Sequence, residues 1–138
     1  MAARYSITIP GVARGKGRPR ATKRGTMYTP ATTVSAEAWV KSCAYEQIGQ
    51  PLLLTPLNVS IDIDVEVPVS WSKKRRADAM SGDTRPTGKP DLDNCCKLLM
   101  DALNGIAWRD DSQVVRLMAR KRYGAAPQTV VNICEVLP

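Results

Sequence analysis

Histidine is missing from this 138-residue chain. That excludes a Ser-His-Asp triad, a Cys-His pair and a histidine general base. Any catalysis must rest on carboxylates, lysine, tyrosine, thiols or a metal. Cysteine is sparse, and Cys43, Cys95, Cys96 and Cys134 form no C-x-x-C pair. With no histidine beside them, these thiols argue against a zinc site and read as free, largely buried side chains. No apolar run approaches the about 18–20 residues that cross a bilayer, and MAARYSITIP lacks the apolar segment of a signal peptide. The expectation is a cytoplasmic protein with no membrane partner.

Acids are also scarce, 13 Asp and Glu against 20 Lys and Arg. Residues 1–36 contain no acid but hold Arg4, Arg14, Lys16, Arg18, Arg20, Lys23 and Arg24. The remaining 13 basic and 13 acidic side chains cancel, so the whole excess of +7 sits in the N-terminal quarter. A concentrated basic segment suits a polyphosphate such as nucleic acid; the plain alternative is a solubilising tail.

A 43% hydrophobic content and this length fit one domain with a real core, spanning 1–138. Arg4 to Pro10 alternates as a half-buried strand, with Tyr5, Ile7 and Ile9 on one side. GVARGKGRPRATKRGTMYTP, within 11–30, reads as a basic arm, flexible or ordered only on phosphate. Thr32 or Thr33 is a candidate cap for a helix reaching Ile48, with Ala38, Val40, Ala44, Tyr45 and Ile48 as buried candidates. Leu57 to Val67 reads as a second strand, with Val59, Ile61, Ile63, Val65 and Val67 on one face and Asp62, Asp64 and Glu66 on the other. Those acids are either a metal face or a solvated one. Residues 70–89 form a connector in which Ser70 or Ser72 starts a short helix. Its cluster Lys73, Lys74, Arg75 and Arg76 is either a second phosphate contact, with Lys89 beyond it, or a solvated turn.

Cys95, Leu98, Leu99, Ala102, Leu103 and Ile106 mark one continuous helical stripe, stopped by Asn104-Gly105. Two further strands are expected at about Gln113–Tyr123 and Thr129–Leu137. In the first, Val115, Leu117 and Ala119 oppose Arg116, Arg120 and Arg122.

Against this acid-poor background, KPDLDNCCKLLMDALNGIAWRDDSQV stands out. Asp91 and Asp93 flank one residue, and Asp110 and Asp111 are adjacent. Such crowding needs full solvation or a cation between the carboxylates. Residues i and i+2 diverge by about 200° in a helix, so the reading places Asp91-Leu92-Asp93 in an extended entry with Asp93 as N-cap. Lys97 then projects from the first turn, on the polar face shared by Asn94, Asp101 and Asn104. It either neutralises a carboxylate and orients a phosphate, or forms an ordinary helix pair with Asp101. A helix from Asn94 to Ile106 spans roughly 20 Å, so Asp110 and Asp111 return toward Asp91 only if the chain doubles back. Carboxylates without His or thiolate ligands favour Mg²⁺ or Mn²⁺, and with a basic arm they suit metal-assisted phosphodiester hydrolysis.

KPDLDN, then Lys97, then WRDDSQV resembles the RusA family of Holliday-junction resolvases, common in phages and prophages. GKGRPR…YTP and WSKKRR also look like phage-type members. The resemblance implies a homodimeric, Mg²⁺-dependent endodeoxyribonuclease, with Mn²⁺ as a substitute, that nicks four-way branched DNA in symmetric pairs. It implies Asp91, Asp93 and Asp111 as catalytic metal ligands, Lys97 as a functional lysine and Asp110 as a weaker ligand. It implies an α/β fold of α+β type: a single small domain whose mixed sheet of about four strands is packed by two main helices. A bacterial host cytoplasm and a phage or prophage origin follow from the same likeness. A non-catalytic DNA- or RNA-binding protein of this fold, or a nuclease for flaps, forks or RNA, remain the alternatives.

Overall fold

The computed structural model describes residues 2–138. Strand β1 (Arg4–Pro10) leads into the basic arm, which carries a two-stranded ribbon, β2 (Arg20–Ala21) and β3 (Met27–Tyr28). Helix α1 (Ala31–Ile48) follows, then β4 (Leu57–Glu66), α2 (Lys73–Ser81), α3 (Leu92–Leu103), a 3₁₀ turn at Asp111–Gln113, β5 (Val114–Gly124) and β6 (Gln128–Glu135). The main sheet has the order β1-β6-β4-β5. β4 and β5 run parallel and the other pairs antiparallel, so the sheet is mixed. The α+β class and the four-stranded sheet expected from sequence are both found.

One core lies between one face of the sheet and the helices α1 and α3. Ile7 and Ile9 of β1, Leu57, Val59, Ile61 and Ile63 of β4, and Val131 and Ile133 of β6 project into it. Cys95, Leu98, Leu99, Ala102 and Leu103 meet them from α3. The strand faces follow from period-two alternation and the helix stripe from 3.6-residue periodicity. Each fully buried Leu or Ile contributes about 1.5–3 kcal/mol.

Several boundaries and faces differ from expectation. α1 begins before Thr32: the Pro30 carbonyl accepts from the N–H groups of Thr33 (3.0 Å) and Val34 (3.1 Å), and no side chain caps it. Its buried residues are Thr33, Val40, Cys43 and Ala44, whereas Ala38 and Tyr45 are exposed. In β5, Val115 faces solvent because the β4–β5 register shifts there: Leu57 pairs with Val114 and Asn58 with Arg116. Val115 is the extra residue of a bulge, and the alternation restarts after it. On the far side of the sheet, Arg120 pairs with Asp62, and Arg122 Nε lies 3.1 Å from Asp64 Oδ1. Cross-strand partners thus account for two of the three strand acids and for two of the β5 cations.

Ser72 caps α2, its hydroxyl accepting from the Arg75 N–H at 3.2 Å. The KKRR cluster forms the first turn of that helix, and the Arg75 guanidinium lies 3.9 Å from the Trp71 ring centre. Cys43, Cys95, Cys96 and Cys134 are all free. Burial first, with the adjacent Cys96 next, raises the Cys95 thiol to about 11, so it stays protonated and inert. Among the described residues no helix is long and apolar enough to cross a membrane.

Candidate functional site

α3 starts two residues earlier than the sequence suggests. Asp91, not Asp93, is the N-cap: it is extended (φ −64°, ψ 138°), and its carbonyl accepts the Cys95 N–H at 3.1 Å. The longer helix puts half-buried Leu92 one turn below Cys96 on the apolar flank, which favours the earlier start. Asp93 becomes a first-turn residue, where the helix dipole favours a carboxylate. Asp91 and Asp93 therefore do not share an extended face. The Asp91 side chain caps no N–H and instead meets Lys89 Nζ at 3.1 Å.

Asp93, Lys97 and Asp101 recur at i, i+4 and i+8, so one face of α3 presents acid, base, acid. They line an open cleft of about 680 Å³ together with Asp111 and the apolar side chains Leu92, Cys96, Met100, Leu117 and Ala119. The chain reverses after α3 to make this possible. Gly105, at φ +80°, supplies the left-handed turn residue. Its N–H bonds to the Trp108 carbonyl at 2.7 Å, and the fully buried Trp108 donates Nε1–H to Asn104 Oδ1 at 2.7 Å. Leu53 N–H then bonds to the Ala107 carbonyl at 2.9 Å, tying the turn to the segment before β4. β5 runs back along α3 until Lys121 Nζ reaches the carbonyls of Gly88 (2.7 Å) and Pro90 (3.2 Å) at the helix entrance.

The DD pair has two different environments. Asp110 caps the 3₁₀ turn: its Oδ2 accepts the Ser112 N–H at 3.0 Å, and its own N–H donates to Gln113 Oε1 at 2.9 Å. The Ser112 bonds hold its carboxyl below the usual range. Asp111 turns the other way, into the cleft, against Asp101 and Asn104. Burial, then hydrogen bonding with the Asp101 carboxyl and the adjacent Asp110 charge, raises Asp111 above the usual carboxylate range, while Asn104 opposes the rise. Asp111 therefore meets the C-terminal half of α3, not its entrance.

Asp101 pairs with Lys16 of the arm rather than with Lys97. That contact, Asp101's charge and more distant Glu37 and Asp111 hold the Lys16 ammonium above its ordinary value, with burial opposing. Lys97 makes no ion pair among the described residues and stays exposed. Arg14, Arg18, Arg20, Lys23 and Arg24 are likewise exposed, as are Lys73, Lys74, Arg75, Arg76 and Lys89. Sequence reasoning passed over Asp101 as a site residue and took Lys16 for one more phosphate contact. The i, i+4, i+8 repeat of Asp93, Lys97 and Asp101 is a signal that flags Asp101. Nothing in the sequence pairs it with a residue 85 positions away.

A set of carboxylates and one amide suits a hard divalent cation; Asp93, Asp101 and Asp111 line the cleft, with Asn104 against Asp111. As the side chains stand, no three acids among the described residues are close enough to hold one ion. Two of the acids near the cleft, Asp91 and Asp101, are engaged by lysines.

An acid-lined cleft on a mixed sheet, flanked by an acid-free basic arm, is an arrangement suited to phosphodiester chemistry. The chain belongs to the RusA family: its description, Endodeoxyribonuclease RusA, matches residues 10–134. The chain is also 36% identical over 135 residues to the uncharacterized protein YqaN of Bacillus subtilis (strain 168), covering 94% of this chain and 95% of that one.

Proposed function

We propose that this protein is a homodimeric, Mg²⁺-dependent endodeoxyribonuclease that resolves four-way DNA junctions by symmetric paired nicks, Mn²⁺ substituting. The observation that carries the reading is the single cleft shared by Asp93, Lys97, Asp101 and Asp111 beside an arm whose cations other than Lys16 are exposed. Asp93 and Asp111 would hold the cation in the cleft with Asp101 beside them, Asp91 would join from the helix entrance on leaving Lys89, and Asp110 supports Asp111 from its capping position. A cation held there would lower the charge that repels a nucleophile from the phosphodiester and would stabilise charge on the departing oxygen. Lys97, exposed on the same helix face, orients the scissile phosphate and offsets charge that develops on it. The acids bind water in line with the scissile bond. Its oxygen bonds to phosphorus as one P–O ester bond breaks, its proton passes to solvent through a cleft carboxylate, and the departing oxygen takes a proton from solvent to leave as a hydroxyl. Arg14, Arg18, Arg20, Lys23 and Arg24, with Lys73, Lys74, Arg75, Arg76 and Lys89, track the flanking backbone. Two copies suit a junction with near-two-fold symmetry, one nick per copy.

The test uses synthetic four-way junctions, flaps, forks and linear duplex with Mg²⁺. Symmetric nicks confined to junctions are expected, with loss of cutting but retained binding in Asp91→Asn and Asp111→Asn. Equal cutting of flaps or forks would replace junction specificity with a broader branched-DNA nuclease.

A second reading, a non-catalytic protein binding branched DNA, draws on the wide spacing of the acids. It requires junction binding with no metal-dependent nick, and Asp91→Asn indistinguishable from wild type.

A further inference from the structure

The arm is not uniformly a loose cationic strand. Residues 15–17, Gly-Lys-Gly, form a fitted cradle. Lys16 N–H bonds to the Asn94 carbonyl at 3.1 Å, inside the first turn of α3. A Cβ on Gly15 would lie 3.1 Å from the Asn94 Cβ, tighter than an ordinary contact, so glycine eases the close approach of the two backbones. Gly17 N–H donates to the buried Thr33 hydroxyl at 2.8 Å, and a Cβ on Gly17 would fall 2.7 Å from that oxygen. The cradle aims the Lys16 side chain along α3 at Asp101. It is only about one-third exposed, unlike the surface cations on either side of it.

The target of that ammonium is the carboxyl group facing Asp111. Asp101 and Asp111 line the same cleft, and two carboxylates sharing one cleft favour a cation between them. Lys97, the other lysine of the cleft, makes no ion pair among the described residues. Lys16 is thus the cation committed to this pair, delivered from a segment remote in sequence. An ammonium and a divalent ion compete for the same carboxylate lone pairs.

We propose that Lys16 is a positioning residue of the cleft: Lys16 and a divalent cation are alternative partners of the Asp101–Asp111 carboxylates, so cation binding releases the arm. The inference rests on the metal-dependent reading above. It links two parts of the site that otherwise have no connection. Arg18, Arg20, Lys23 and Arg24 follow within eight residues of Lys16 and make no ion pair among the described residues. A Lys16 set free by cation binding adds its charge to theirs and lets the arm close on a phosphate backbone. The cation-free protein keeps the arm docked, and the cleft stays internally neutralised.

Two measurements test this without reading activity. Mn²⁺ titration, followed by paramagnetic resonance of the free ion, compares wild type with Lys16→Met and Lys16→Arg. Lys16→Met should bind Mn²⁺ roughly three- to tenfold more tightly, the size expected for removing a competing ion pair that is partly shielded from water. Lys16→Arg keeps the charge and should stay near wild type. Amide hydrogen exchange then follows residues 15–17 in the wild-type protein. Exchange there should speed up when Mn²⁺ is added, and Asp101→Asn should produce the same loosening with no Mn²⁺ present. Unchanged or weaker Mn²⁺ binding by Lys16→Met, in a wild type that binds Mn²⁺ well, overturns this inference and leaves the nuclease reading intact. Exchange at 15–17 indifferent to Mn²⁺ overturns it as well, without recourse to any variant. A wild type that binds no Mn²⁺ removes both.

Discussion

Asp111 shows at a single residue the tension between a site and the stability of the fold that carries it. Its carboxyl is raised by burial, by hydrogen bonding with Asp101 and by the Asp110 charge. A raised acid holds its proton in the native state at pH values where the unfolded chain has lost it. The native state then binds more protons, so stability falls as pH rises from the ordinary carboxylate range through the folded value and stays lower above it. At neutral pH the ionised group therefore opposes folding when no cation is present. Asp111→Asn should melt at a higher temperature than wild type at pH 7 in EDTA, and the advantage should shrink as pH falls through the raised folded value toward about 3.9, the free Asp value, and level off below it. A variant no more stable at pH 7 would show that Asp111 is not under strain. The adjacent Asp110 has the opposite sign, being lowered by Ser112. The DD pair was visible in the sequence, and Asp111 was already ranked above Asp110. Their different surroundings come from a 3₁₀ turn that uses one acid as a cap and turns the other inward.

At the scale of elements, the reversal between α3 and β5 decides whether Asp111 reaches the cleft at all. Gln113 clamps it: Nε2 donates to the carbonyls of Leu53 (2.8 Å) and Thr55 (3.0 Å), while Oε1 accepts from Asp110. Gln113→Leu removes all three bonds and strands carbonyls that are partly shielded from water. A loss of about 1–3 kcal/mol in urea denaturation is expected. Junction cutting should fall at temperatures where the variant is still fully folded, because Asp111 is no longer held against Asp101. Full cutting by a folded, destabilised variant would mean that the Trp108–Asn104 lock alone places Asp111. The α3 stripe was legible because 3.6-residue periodicity is a local signal, and so was the Asn104-Gly105 stop. The start of α3 was less so: Asp91 and Asp93 are both good caps, and contact of Leu92 with the cleft tipped the choice. The β5 bulge was hidden because a one-residue register shift depends on the neighbouring strand.

The whole molecule separates charge by location. The acid-free first 36 residues carry the excess of +7, six of those cations in the arm, while acids and bases elsewhere cancel, in β4 and β5 by direct cross-strand pairing. Exposed cations without partners are free to displace counterions from a nucleic acid backbone. Neutralising Arg18, Arg20, Lys23 and Arg24 together should weaken junction binding and flatten its log–log salt dependence by about 3–4, close to one counterion per lost contact. Mn²⁺ affinity should not change, because none of the four touches the cleft. An unaltered salt slope would make the arm a solubilising tail. The segregation of charge was readable from composition. Its consequence was not, because one lysine of the arm faces inward and the others face out.

By itself the sequence determined what depends on composition and short-range period: the excluded histidine and zinc chemistries, the strands, the apolar stripe of α3, the basic arm and the crowded acids. These follow from side-chain chemistry and from backbone repeats of two and 3.6 residues, which act over a few positions. Only the tertiary structure decided which acids share a cleft. Asp111 joins Asp101 because a buried tryptophan and a glutamine clamp turn the chain back. Lys16 joins them because Gly15 lets the arm lie against α3 and Gly17 seats it on the start of α1. Those partnerships rest on packing and hydrogen bonds between segments far apart in the chain.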